Sequence, residues 1–415
     1  MFKPGKIEKI SGVRYRINSR LGEGGYGEVW SATCLDDNNV YAIKRFHKHD
    51  DDDVERWEKL CEFELHQILD SAAGPIKVIY PDKRRTWAGY IMPLACGVAL
   101  DQWLETREFN VLDNLLVGLQ IVKIVEDAHS IGLAYGDVHP RNFVVDSVSG
   151  MSSVTAIDWD NARIEKTPLP RSPGVKPFLA PESMRAFLNG QLFPPDALTD
   201  CCSVAKCLHL LLLGRNSYQT NNEREFEAET AKGVWNSDPR HGPVDVEKLG
   251  GVSNQWISPE LAALFRRAFG IRRSERPPMN DWLSCLNAVL IDGLQICPNP
   301  SCQCPMMVAR RSTCPHCEQE FPRLAIRFAD GRRVVVGKDP LTLGQSDLGS
   351  ECVSRRHAVV ARLGPELSIT DLNSKNGTTF WDGKRWYPIS EKSPNAFQAS
   401  DRIRCANVEF DIVPA

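Results

Sequence analysis

Hydrophobic and polar positions follow different periods along the chain. Over about residues 13–78 they alternate around glycine-rich turns, which predicts a small sheet, and an acidic run leads into helical spacing over 54–69. Over 111–290 long amphipathic helical patterns dominate, with short strands near 143–145 and 154–157. These stretches predict an α+β region whose first part is sheet-rich and whose second part is mainly helical.

Short alternating strands replace this pattern from Leu324 onward. Asp330-Gly331 lies between two such strands, and Asp-Gly is a strong signal for a two-residue hairpin turn. Asp382-Gly383 repeats the signal. The stretch 324–415 is therefore predicted to be an all-β sandwich.

The cysteines are concentrated between these two regions. Five of the 14 lie close together: Cys297, Cys302, Cys304, Cys314 and Cys317. Cys297 with Cys302 and Cys314 with Cys317 form two knuckles separated by eleven residues, which suits a tetrahedral Cys₄ zinc site. Cys304 is the alternative to Cys302. Four thiolates leave no open coordination position, so the sequence predicts a small zinc ribbon over 296–322 with structural Zn²⁺.

Length and charge narrow the class of protein. At 415 residues the chain is expected to be multidomain. A net charge of -3 gives no field that would attract nucleic acid or an anionic membrane. The most apolar run, 208–213, is too short to span a bilayer, and the N-terminus lacks an apolar signal core. We therefore expect a cytoplasmic protein that binds neither nucleic acid nor membrane.

A glycine-rich segment near the N-terminus has a pattern that closes over nucleotide phosphates. Gly22-Glu23-Gly24-Gly25-Tyr26-Gly27-Glu28-Val29 fits G-x-G-x-x-G-x-V, in which glycines let backbone amides approach the phosphates. Lys44, in Tyr41-Ala42-Ile43-Lys44, follows on a strand-like run from which an ammonium reaches the α- and β-phosphates. The acidic helix then offers Glu64 as the ion-pair partner of Lys44, with Glu62 as the alternative.

Carboxylates and an amide at fixed spacing supply the rest of a phosphoryl-transfer site. Asp137 and Asn142 preserve the spacing D-x-x-x-x-N, in which the carboxylate accepts the substrate hydroxyl's proton and the amide holds a metal ion. Asp158 follows Asn142 by sixteen residues, and the family resemblance described below implies that an acid at this position bridges Mg²⁺ to the phosphates. The predicted magnesium ligands are Asn142 and Asp158, and the predicted catalytic set is Asp137, Lys44, Asn142, Asp158 and Glu64.

Further matches follow in order. They are Ala180-Pro181-Glu182, Asp200 at the start of an apolar helix, and Arg276 as a partner for Glu182. With them, residues 13–290 resemble a eukaryotic-like protein kinase of the bacterial type. The resemblance implies a two-lobed α+β protein kinase fold, ATP and Mg²⁺ as cofactors, and phosphorylation of Ser/Thr hydroxyls on protein substrates.

The resemblance also assigns the lobes and the nucleotide-binding residues. The N-lobe would cover about 13–95 and the C-lobe about 96–290. The residues assigned to ATP are Gly22, Glu23, Gly24, Gly25, Tyr26, Gly27, Val29, Ala42, Lys44, Met92, Pro93 and Leu94. Segments 136–142 and 157–160 resemble a bacterial subgroup often encoded beside von Willebrand-type proteins and metal-dependent protein phosphatases, which implies such proteins as partners.

The residues before the predicted catalytic aspartate depart from the family pattern. Tyr135-Gly136 precedes Asp137, so no arginine stands there to read a phosphorylated activation loop. Activation through Thr167 or Ser172 is therefore not required by charge, and constitutive competence is the expectation.

Two more departures lie close to the predicted chemistry. His139 replaces the usual lysine and carries full charge only when protonated, so that turnover is slower or the role passes to Arg141. Asp160 replaces a flexible glycine, and it either stiffens the hinge that moves Asp158 or adds a second carboxylate near the metal. The alternative function is a pseudokinase scaffold that binds nucleotide and phosphopeptides without transfer.

Three blocks in the last part of the chain resemble those of FHA domains. They are Leu343-Gly344, the sequence V-S-R-R-H-A at 353–358 and the sequence L-N-S-K-N-G-T at 372–378. The resemblance covers 324–415 and implies an eleven-stranded sandwich whose loops at one end bind phosphothreonine peptides. His357 would brace these loops.

The same resemblance assigns a phosphopeptide-binding set. Its members are Gln345, Ser354, Arg355, Ser374, Lys375 and Asn376. The Ser354 hydroxyl would take phosphate, Arg355 would line the site and Asn376 would hold the peptide backbone, since charge-assisted donors suit a dianionic phosphate. Gln345 departs from the family, which usually has a phosphate-binding arginine there, and its amide carries no charge.

Overall fold

A computed structural model describes most of the chain in two compact units. The described residues are 2–81, 87–148, 151–164, 167–170, 174–218, 222–249, 251–290, 294–297, 299–302, 305–307, 314, 317–320, 323–337, 339–363, 366–389 and 395–415. The first unit comprises Met1–Asn254 and Glu260–Ala288, and the second comprises Gln255–Pro259 and Val289–Ala415. Within the described ranges, none of the helices combines the length and apolar character needed to cross a membrane.

The first unit begins with an antiparallel sheet. Its strands are β1 (Ile7–Ile10), β2 (Val13–Glu23), β3 (Gly27–Cys34), β4 (Val40–Phe46), β5 (Lys77–Ile79) and β6 (Gly89–Pro93). They lie in the order β1-β2-β3-β4-β6-β5. The β2–β3 hairpin requires Gly27, because a Cβ atom there would lie 2.3 Å from the carbonyl oxygen of Arg45.

The helix predicted over 54–69 is interrupted. α1 (Asp51–Glu62) and α2 (Leu65–Ile68) are separate helices, and Glu64 between them adopts a left-handed backbone with φ of 46°. The turn buries Leu65 completely against Gly74, where a Cβ atom would lie 2.8 Å from the leucine side chain. The expectation of one continuous helix is therefore wrong beyond Glu62.

The rest of the first unit is mainly helical, as predicted. Its helices are α3 (Leu100–Glu105), α4 (Val111–Ser130), α5 (Pro181–Leu188), α6 (Ala197–Leu213), α7 (Glu223–Lys232), α8 (Val246–Leu249), α9 (Pro259–Phe269) and α10 (Met279–Ala288). Its strands are β7 (Val98–Ala99), β8 (Leu133–Ala134), β9 (Phe143–Val148), β10 (Met151–Ala156) and β11 (Arg163–Ile164). α4 packs closely on α6, since a Cβ atom at Gly118 would lie 2.8 Å from the Leu208 side chain.

The second unit contains a short hairpin and two sheets. The hairpin is formed by β12 (Leu294–Ile296) and β13 (Pro305–Met307). The further elements are β14 (Leu324–Phe328), β15 (Arg333–Val335), β16 (Leu341–Leu343), α11 (Gln345–Leu348), β17 (Ala358–Leu363), β18 (Glu366–Asp371), β19 (Thr378–Trp381), β20 (Trp386–Pro388), β21 (Asn395–Phe397), β22 (Arg402–Cys405) and β23 (Val408–Pro414).

Both sheets are antiparallel, in the orders β15-β14-β23-β22-β19-β20 and β16-β17-β18-β21. Ile326, Ile369 and Phe410 belong to one buried apolar cluster that joins them. Asp330-Gly331 and Asp382-Gly383 both lie in hairpin turns, between β14 and β15 and between β19 and β20. The predicted all-β fold of this region is confirmed.

Candidate active site

A cavity of about 520 Å³ in the first unit is lined by the β2–β4 sheet on one side and by residues around β9 on the other. Seven of the predicted ATP-binding residues line it: Gly22, Val29, Ala42, Lys44, Met92, Pro93 and Leu94. The other predicted residues lie in the β2–β3 hairpin outside this lining: Glu23, Gly24, Gly25, Tyr26 and Gly27. The cavity thus has the β2–β3 hairpin at one edge and a wall built from strands.

Lys44 on β4 is buried, and two carboxylates hold its ammonium group. The Nζ atom donates hydrogen bonds to Asp158 and to Asp160, with 2.9 Å between Nζ and Oδ1 of Asp160. The Tyr90 hydroxyl donates to the same Oδ1 atom at 3.4 Å. Burial alone would lower the pKa of Lys44, but the two carboxylates outweigh it and raise that pKa above its ordinary value. The lysine is therefore charged.

The two carboxylates beside Lys44 differ in their acidity. Burial and the negative charge of Asp158 raise the pKa of Asp160 to about 7. Burial also opposes ionisation of Asp158, but Lys44 and hydrogen bonds outweigh it and lower the pKa of that carboxyl. Asp158 is therefore the more acidic of the two and the better donor to a divalent cation.

Glu64 does not approach Lys44. It is exposed at the left-handed turn, where its carboxylate accepts a hydrogen bond from Nε2 of Gln67 at 3.3 Å. Glu62, the alternative, is exposed as well, and the buried acid of α1, Asp53, pairs with Arg56. The predicted Lys44–Glu64 ion pair is thus contradicted, because the break in the helix turns Glu64 towards solvent.

The loop that follows β8 holds Asp137 and Asn142 together. The Asn142 amide is buried and donates to the backbone carbonyl of Asp137 at 2.9 Å. Nδ2 of Asn161 donates to Oδ2 of Asp137 at 3.1 Å, and Nε2 of His139 lies 3.6 Å from the same oxygen. Asn161 therefore orients the carboxylate, and it is a residue that sequence reasoning missed.

Asp200 on α6 fixes the backbone ahead of this loop. Its carboxylate accepts hydrogen bonds from the backbone N–H groups of Tyr135 at 2.7 Å and Gly136 at 3.0 Å, and Nε2 of His129 lies 3.0 Å away. The ring of Tyr135 packs edge-on against Trp159, with centroids 4.5 Å apart. The Asp158-Trp159-Asp160 segment is therefore anchored to the same buried carboxylate through Tyr135.

Gly136 has a conformation that excludes other residues. Its φ is +80°, and a Cβ atom would lie 2.3 Å from the backbone carbonyl oxygen of Asn161. The position is thus glycine because of both its backbone angle and its close contact. The missing arginine before Asp137 has a structural cause.

Side-chain hydrogen bonds to backbone carbonyls hold the segment that follows Asp158. Arg56 on α1 donates to the backbone carbonyl of Leu169 at 3.1 Å and pairs with Asp53 at 2.8 Å. The Thr167 hydroxyl donates to the Ile164 carbonyl at 2.9 Å. Ser172, the other expected phosphorylation position, lies outside the described residues.

Glu182 and Arg276 form a buried ion pair in the helical part of the first unit. Arg276 donates to both carboxylate oxygens of Glu182 at 2.6 Å and to the Leu198 carbonyl at 2.9 Å. Arg273 lies 3.1 Å from the same carboxylate. The predicted pairing of Glu182 with Arg276 is confirmed.

Four cysteine sulfur atoms in the second unit form a compact cluster. The ligand atoms of Cys297, Cys302, Cys314 and Cys317 all lie within 4.8 Å of one another. The Sγ atoms of Cys297 and Cys317 are 3.6 Å apart, and those of Cys302 and Cys314 are 3.9 Å apart. Tetrahedral thiolates about 2.3 Å from zinc would be about 3.8 Å apart, so the cluster fits the ion. Cys304, the alternative ligand, lies outside the described residues.

His357 braces two loops at one end of the β-sandwich. Its Nδ1 atom accepts a hydrogen bond from the Ser354 backbone N–H at 3.1 Å, so that Nε2 carries the proton and donates to the Gly377 carbonyl at 3.0 Å. The Ser374 hydroxyl lies 3.1 Å from Nε2 and donates to Asp371 at 2.8 Å. Ser374 therefore belongs to this brace, and its contact with a peptide stays a prediction.

The other predicted peptide-binding residues lie along the same loops. The Ser354 hydroxyl accepts a hydrogen bond from the Lys375 backbone N–H at 3.0 Å, and the Asn376 amide donates to the Cys352 carbonyl at 2.7 Å. The Gln345 N–H donates to the Ser354 carbonyl at 3.1 Å. The side chains on the open face of these loops are exposed: Gln345, Arg355 and Lys375.

Comparison with known proteins agrees with this geometry. Residues 15–285 match the model of the protein kinase domain. The chain belongs to the protein kinase family. Residues 334–405 match the model of the FHA domain, so the chain also carries an FHA domain after its protein kinase domain.

Individual relatives of the kinase are distant. Calcium-dependent protein kinase 5 of Oryza sativa subsp. japonica is 26% identical over 273 residues, 63% of this chain and 45% of that protein. Casein kinase I homolog 1 of Schizosaccharomyces pombe is 24% identical over 164 residues, 39% of this chain and 36% of that protein. The kinase thus spans less than half the length of these relatives, both of which are eukaryotic.

Membership of the family implies ATP and Mg²⁺, and the cavity suits both. Several lining residues were missed from the sequence, notably Leu21, Ala95, Val144 and Ile157. Val144 lies two residues after Asn142 and Ile157 lies immediately before Asp158, so apolar positions beside the polar motifs were the available signal. These side chains give the cavity an apolar surface beside the charged end formed by Lys44 and Asp158.

Proposed function

We propose that this protein is an active Ser/Thr kinase that transfers the γ-phosphoryl group of ATP to hydroxyls of protein substrates. The convergence of Lys44, Asp158, Asp137 and Asn142 supports this most. Lys44 and Asp158 line one cavity, and the Ile157 N–H joins its wall to the Asn142 carbonyl at 2.9 Å. Positioned charges of this kind supply most of what phosphoryl transfer requires.

Each residue of this set has a distinct proposed role. Lys44 would bind the α- and β-phosphates, and Asp158 with Asn142 would hold Mg²⁺, which neutralises developing charge when bound. Asp137 would accept the proton of the substrate hydroxyl, with its Oδ2 atom held by Asn161. Glu64 drops out of the catalytic set, since it faces solvent.

Transfer of labelled γ-phosphate to the chain itself or to a generic protein acceptor tests the proposal. The full chain is expected to incorporate label, whereas the Asp137→Ala and Lys44→Met variants are expected to lose it. Phosphoamino acid analysis should find phosphoserine or phosphothreonine. A chain that binds ATP but transfers nothing would refute the enzymatic proposal.

A pseudokinase scaffold is the second candidate. One observation favours it: His139 stands where a permanently charged lysine is expected, and it lies 3.6 Å from the Asp137 carboxylate. Unless protonated, the imidazole adds no charge for the γ-phosphate. Nucleotide and phosphopeptide binding without transfer in the assay above would establish this function instead.

The FHA domain is proposed to recruit phosphothreonine-containing partners to the kinase. Exposed Arg355 and Lys375, beside the Ser354 hydroxyl, offer charge-assisted donors for a phosphate. Recruitment of this kind raises the local concentration of substrate near the active site. A threonine peptide that binds equally well with and without its phosphate would rule the recruitment out.

The cysteine cluster is proposed to hold structural Zn²⁺ through Cys297, Cys302, Cys314 and Cys317. The sulfur spacing supports a closed tetrahedral site. Metal analysis of protein purified without added zinc should give about one equivalent, and Cys302→Ser should abolish binding while Cys304→Ser leaves it intact. Retention of zinc by Cys302→Ser would assign the position to Cys304.

We also propose a division of the chain into a kinase domain at 13–290, a zinc ribbon at 296–322 and an FHA domain at 324–415. The proposed affiliation with a bacterial subgroup rests on segments 136–142 and 157–160. A metal-dependent protein phosphatase and a von Willebrand-type protein are the partners that this affiliation suggests. Copurification of either protein with the full chain from its native cell would test the partnership.

A further inference from the structure

The buried lysine of the nucleotide cavity takes its second carboxylate from an unexpected place. The carboxylates bonded to Lys44 are both in the Asp158-Trp159-Asp160 segment. Among the described ion pairs of Lys44 there is none with an acid of α1: Glu62 and the following Glu64 are exposed, and the buried Asp53 pairs with Arg56. A role that a helix-borne glutamate was expected to fill is therefore filled from another element.

Asp158 and Asp160 are exposed to different extents. The Asp158 side chain is 37% exposed, whereas the Asp160 side chain is 15% exposed. Asp160 also accepts a hydrogen bond from the Tyr90 hydroxyl at 3.4 Å, and Tyr90 is fully buried on β6. Asp158 can thus contact a ligand that enters the cavity, whereas the Asp160 side chain points towards the protein interior.

The segment that carries Asp160 is firmly anchored. Trp159 is buried, its Nε1 donates to the Ala156 carbonyl at 3.1 Å, and its ring packs against Tyr135. An acid on such a segment keeps a fixed position when ligands enter the cavity. Fixed position is what the partner of a phosphate-binding lysine must supply.

We infer that Asp160 is a positioning residue that holds the Lys44 ammonium at the phosphate site while Asp158 is engaged by the metal ion. The inference rests on the proposed nucleotide-binding role of this cavity. A lysine ammonium has three donors, so Lys44 keeps Asp160 on one donor and offers the others to phosphate oxygens. In this arrangement the position of the Lys44 ammonium does not depend on the position of α1.

Nucleotide binding by the full chain tests the inference apart from catalysis. Binding of a non-hydrolysable ATP analogue would be measured by calorimetry for the wild type, Asp160→Asn, Lys44→Met and the double variant. Asp160→Asn should weaken binding about tenfold, because the neutral amide takes the negative charge out of the hydrogen bond to the Lys44 ammonium. In the Lys44→Met background it should weaken binding less than twofold, because both changes remove one interaction. Equal losses in both backgrounds would overturn the inference.

The metal dependence of the loss separates positioning from metal binding. If Asp160 positions Lys44, the loss in Asp160→Asn should be largest with excess Mg²⁺ and smaller with EDTA, because Asp158 then stays on Lys44, and in the Lys44→Met background it should nearly vanish under both conditions. If Asp160 is a second metal ligand, the loss with Mg²⁺ should persist in the Lys44→Met background, and the inference fails. Binding without transfer by the wild type would refute the proposed kinase activity but leave this test readable.

A matched control guards against a general loss of structure. Asp113 on α4 also pairs with a cation, Arg107, and it does not line the cavity. Asp113→Asn should leave analogue binding within twofold of the wild type. Asp160→Asn should also keep the wild-type thermal unfolding profile to within a few degrees, and a collapse of that profile would be checked with Asp160→Glu, which retains the charge. Failure of Asp160→Glu to bind better than Asp160→Asn would count against a charge-dependent role.

Discussion

The cavity around Lys44 and the loops around His357 in the FHA domain both gather polar side chains, but they hold them differently. In the cavity the functional charge itself is buried, and Lys44 is bonded directly to Asp158 and Asp160. In the FHA domain the buried groups, His357 and Asp371, only brace the loops. The side chains proposed to meet phosphate stay exposed.

This difference follows from what each site must do. Phosphoryl transfer depends on charges at fixed positions, so the protein accepts the cost of burying them in pairs. Peptide recognition tolerates long side chains that adapt, provided that the loops beneath them are rigid. Substitutions in the cavity should therefore change chemistry, and substitutions in the brace should change folding.

The largest expected effect is on turnover at Asp137. Asp137→Ala removes the proposed proton acceptor, and general-base catalysis contributes about 10²–10⁴-fold to such rates. We expect a loss of kcat in this range with phosphopeptide affinity within twofold of the wild type. Steady-state kinetics measures kcat, and fluorescence anisotropy with a labelled phosphopeptide measures the affinity. An equal loss of peptide binding would break the separation between the two sites.

The hydrogen bonds by which His357 braces the two loops should dominate the stability of the FHA domain. His357→Ala leaves the Ser354 N–H and the Gly377 carbonyl without their side-chain partner in a buried position. Such losses, with the cavity created, should lower the free energy of unfolding by about 3 kcal/mol. Urea unfolding of the full chain, followed by hydrogen exchange within β17 and β18, measures it. The neighbouring exposed Arg356→Ala is the matched control and should cost less than about 0.5 kcal/mol.

A smaller effect is expected where one amide orients a catalytic group. Asn161→Ala removes the donor to Oδ2 of Asp137 and should lower kcat about tenfold, since hydrogen bonds to charged groups are worth about 1.5–3 kcal/mol. The KM for ATP should stay within twofold, because Lys44 and its partners are untouched. Initial rates over a range of ATP concentrations separate the two constants. A raised KM with unchanged kcat would contradict the orienting role.

The smallest expected effect is a gain in the FHA domain. Gln345 is exposed at the start of α11, and Gln345→Arg supplies a charged, bidentate donor in place of a neutral amide. Affinity for a phosphothreonine peptide should rise about threefold to tenfold, with no change for the unphosphorylated peptide. Calorimetry with both peptides is the measurement. Gln345→Met, similar in length but apolar, is the control and should bind no better than the wild type.

Local motifs and distant contacts were not equally predictable from the sequence. The glycine-rich hairpin, Lys44, Asp137 and Asp158 could be proposed as site residues because their spacing is set by short stretches of backbone. The Lys44–Glu64 pair could not be judged in the same way, because it depends on where α1 ends. That end is set by the burial of Leu65 against Gly74, a contact which no periodicity reveals.

The partners of the catalytic groups were missed for a related reason. Asp160 and Asn161 contact Lys44 and Asp137, residues that are 116 and 24 positions away in the chain. Ser374 shows the same limit in the sandwich, since its motif identifies the loop but not the direction of the hydroxyl. Sequence spacing locates a functional loop, whereas packing decides which side chain faces inward.

The close contact at Gly136 has an evolutionary consequence. Many switches can be gained by one codon change, but an arginine at this position would need a backbone angle that it rarely adopts and would strike the Asn161 carbonyl oxygen. Control by a phosphate-reading arginine therefore requires the turn around Asn161 to be rebuilt first. A lineage with this turn would have to evolve its regulation through other parts of the chain.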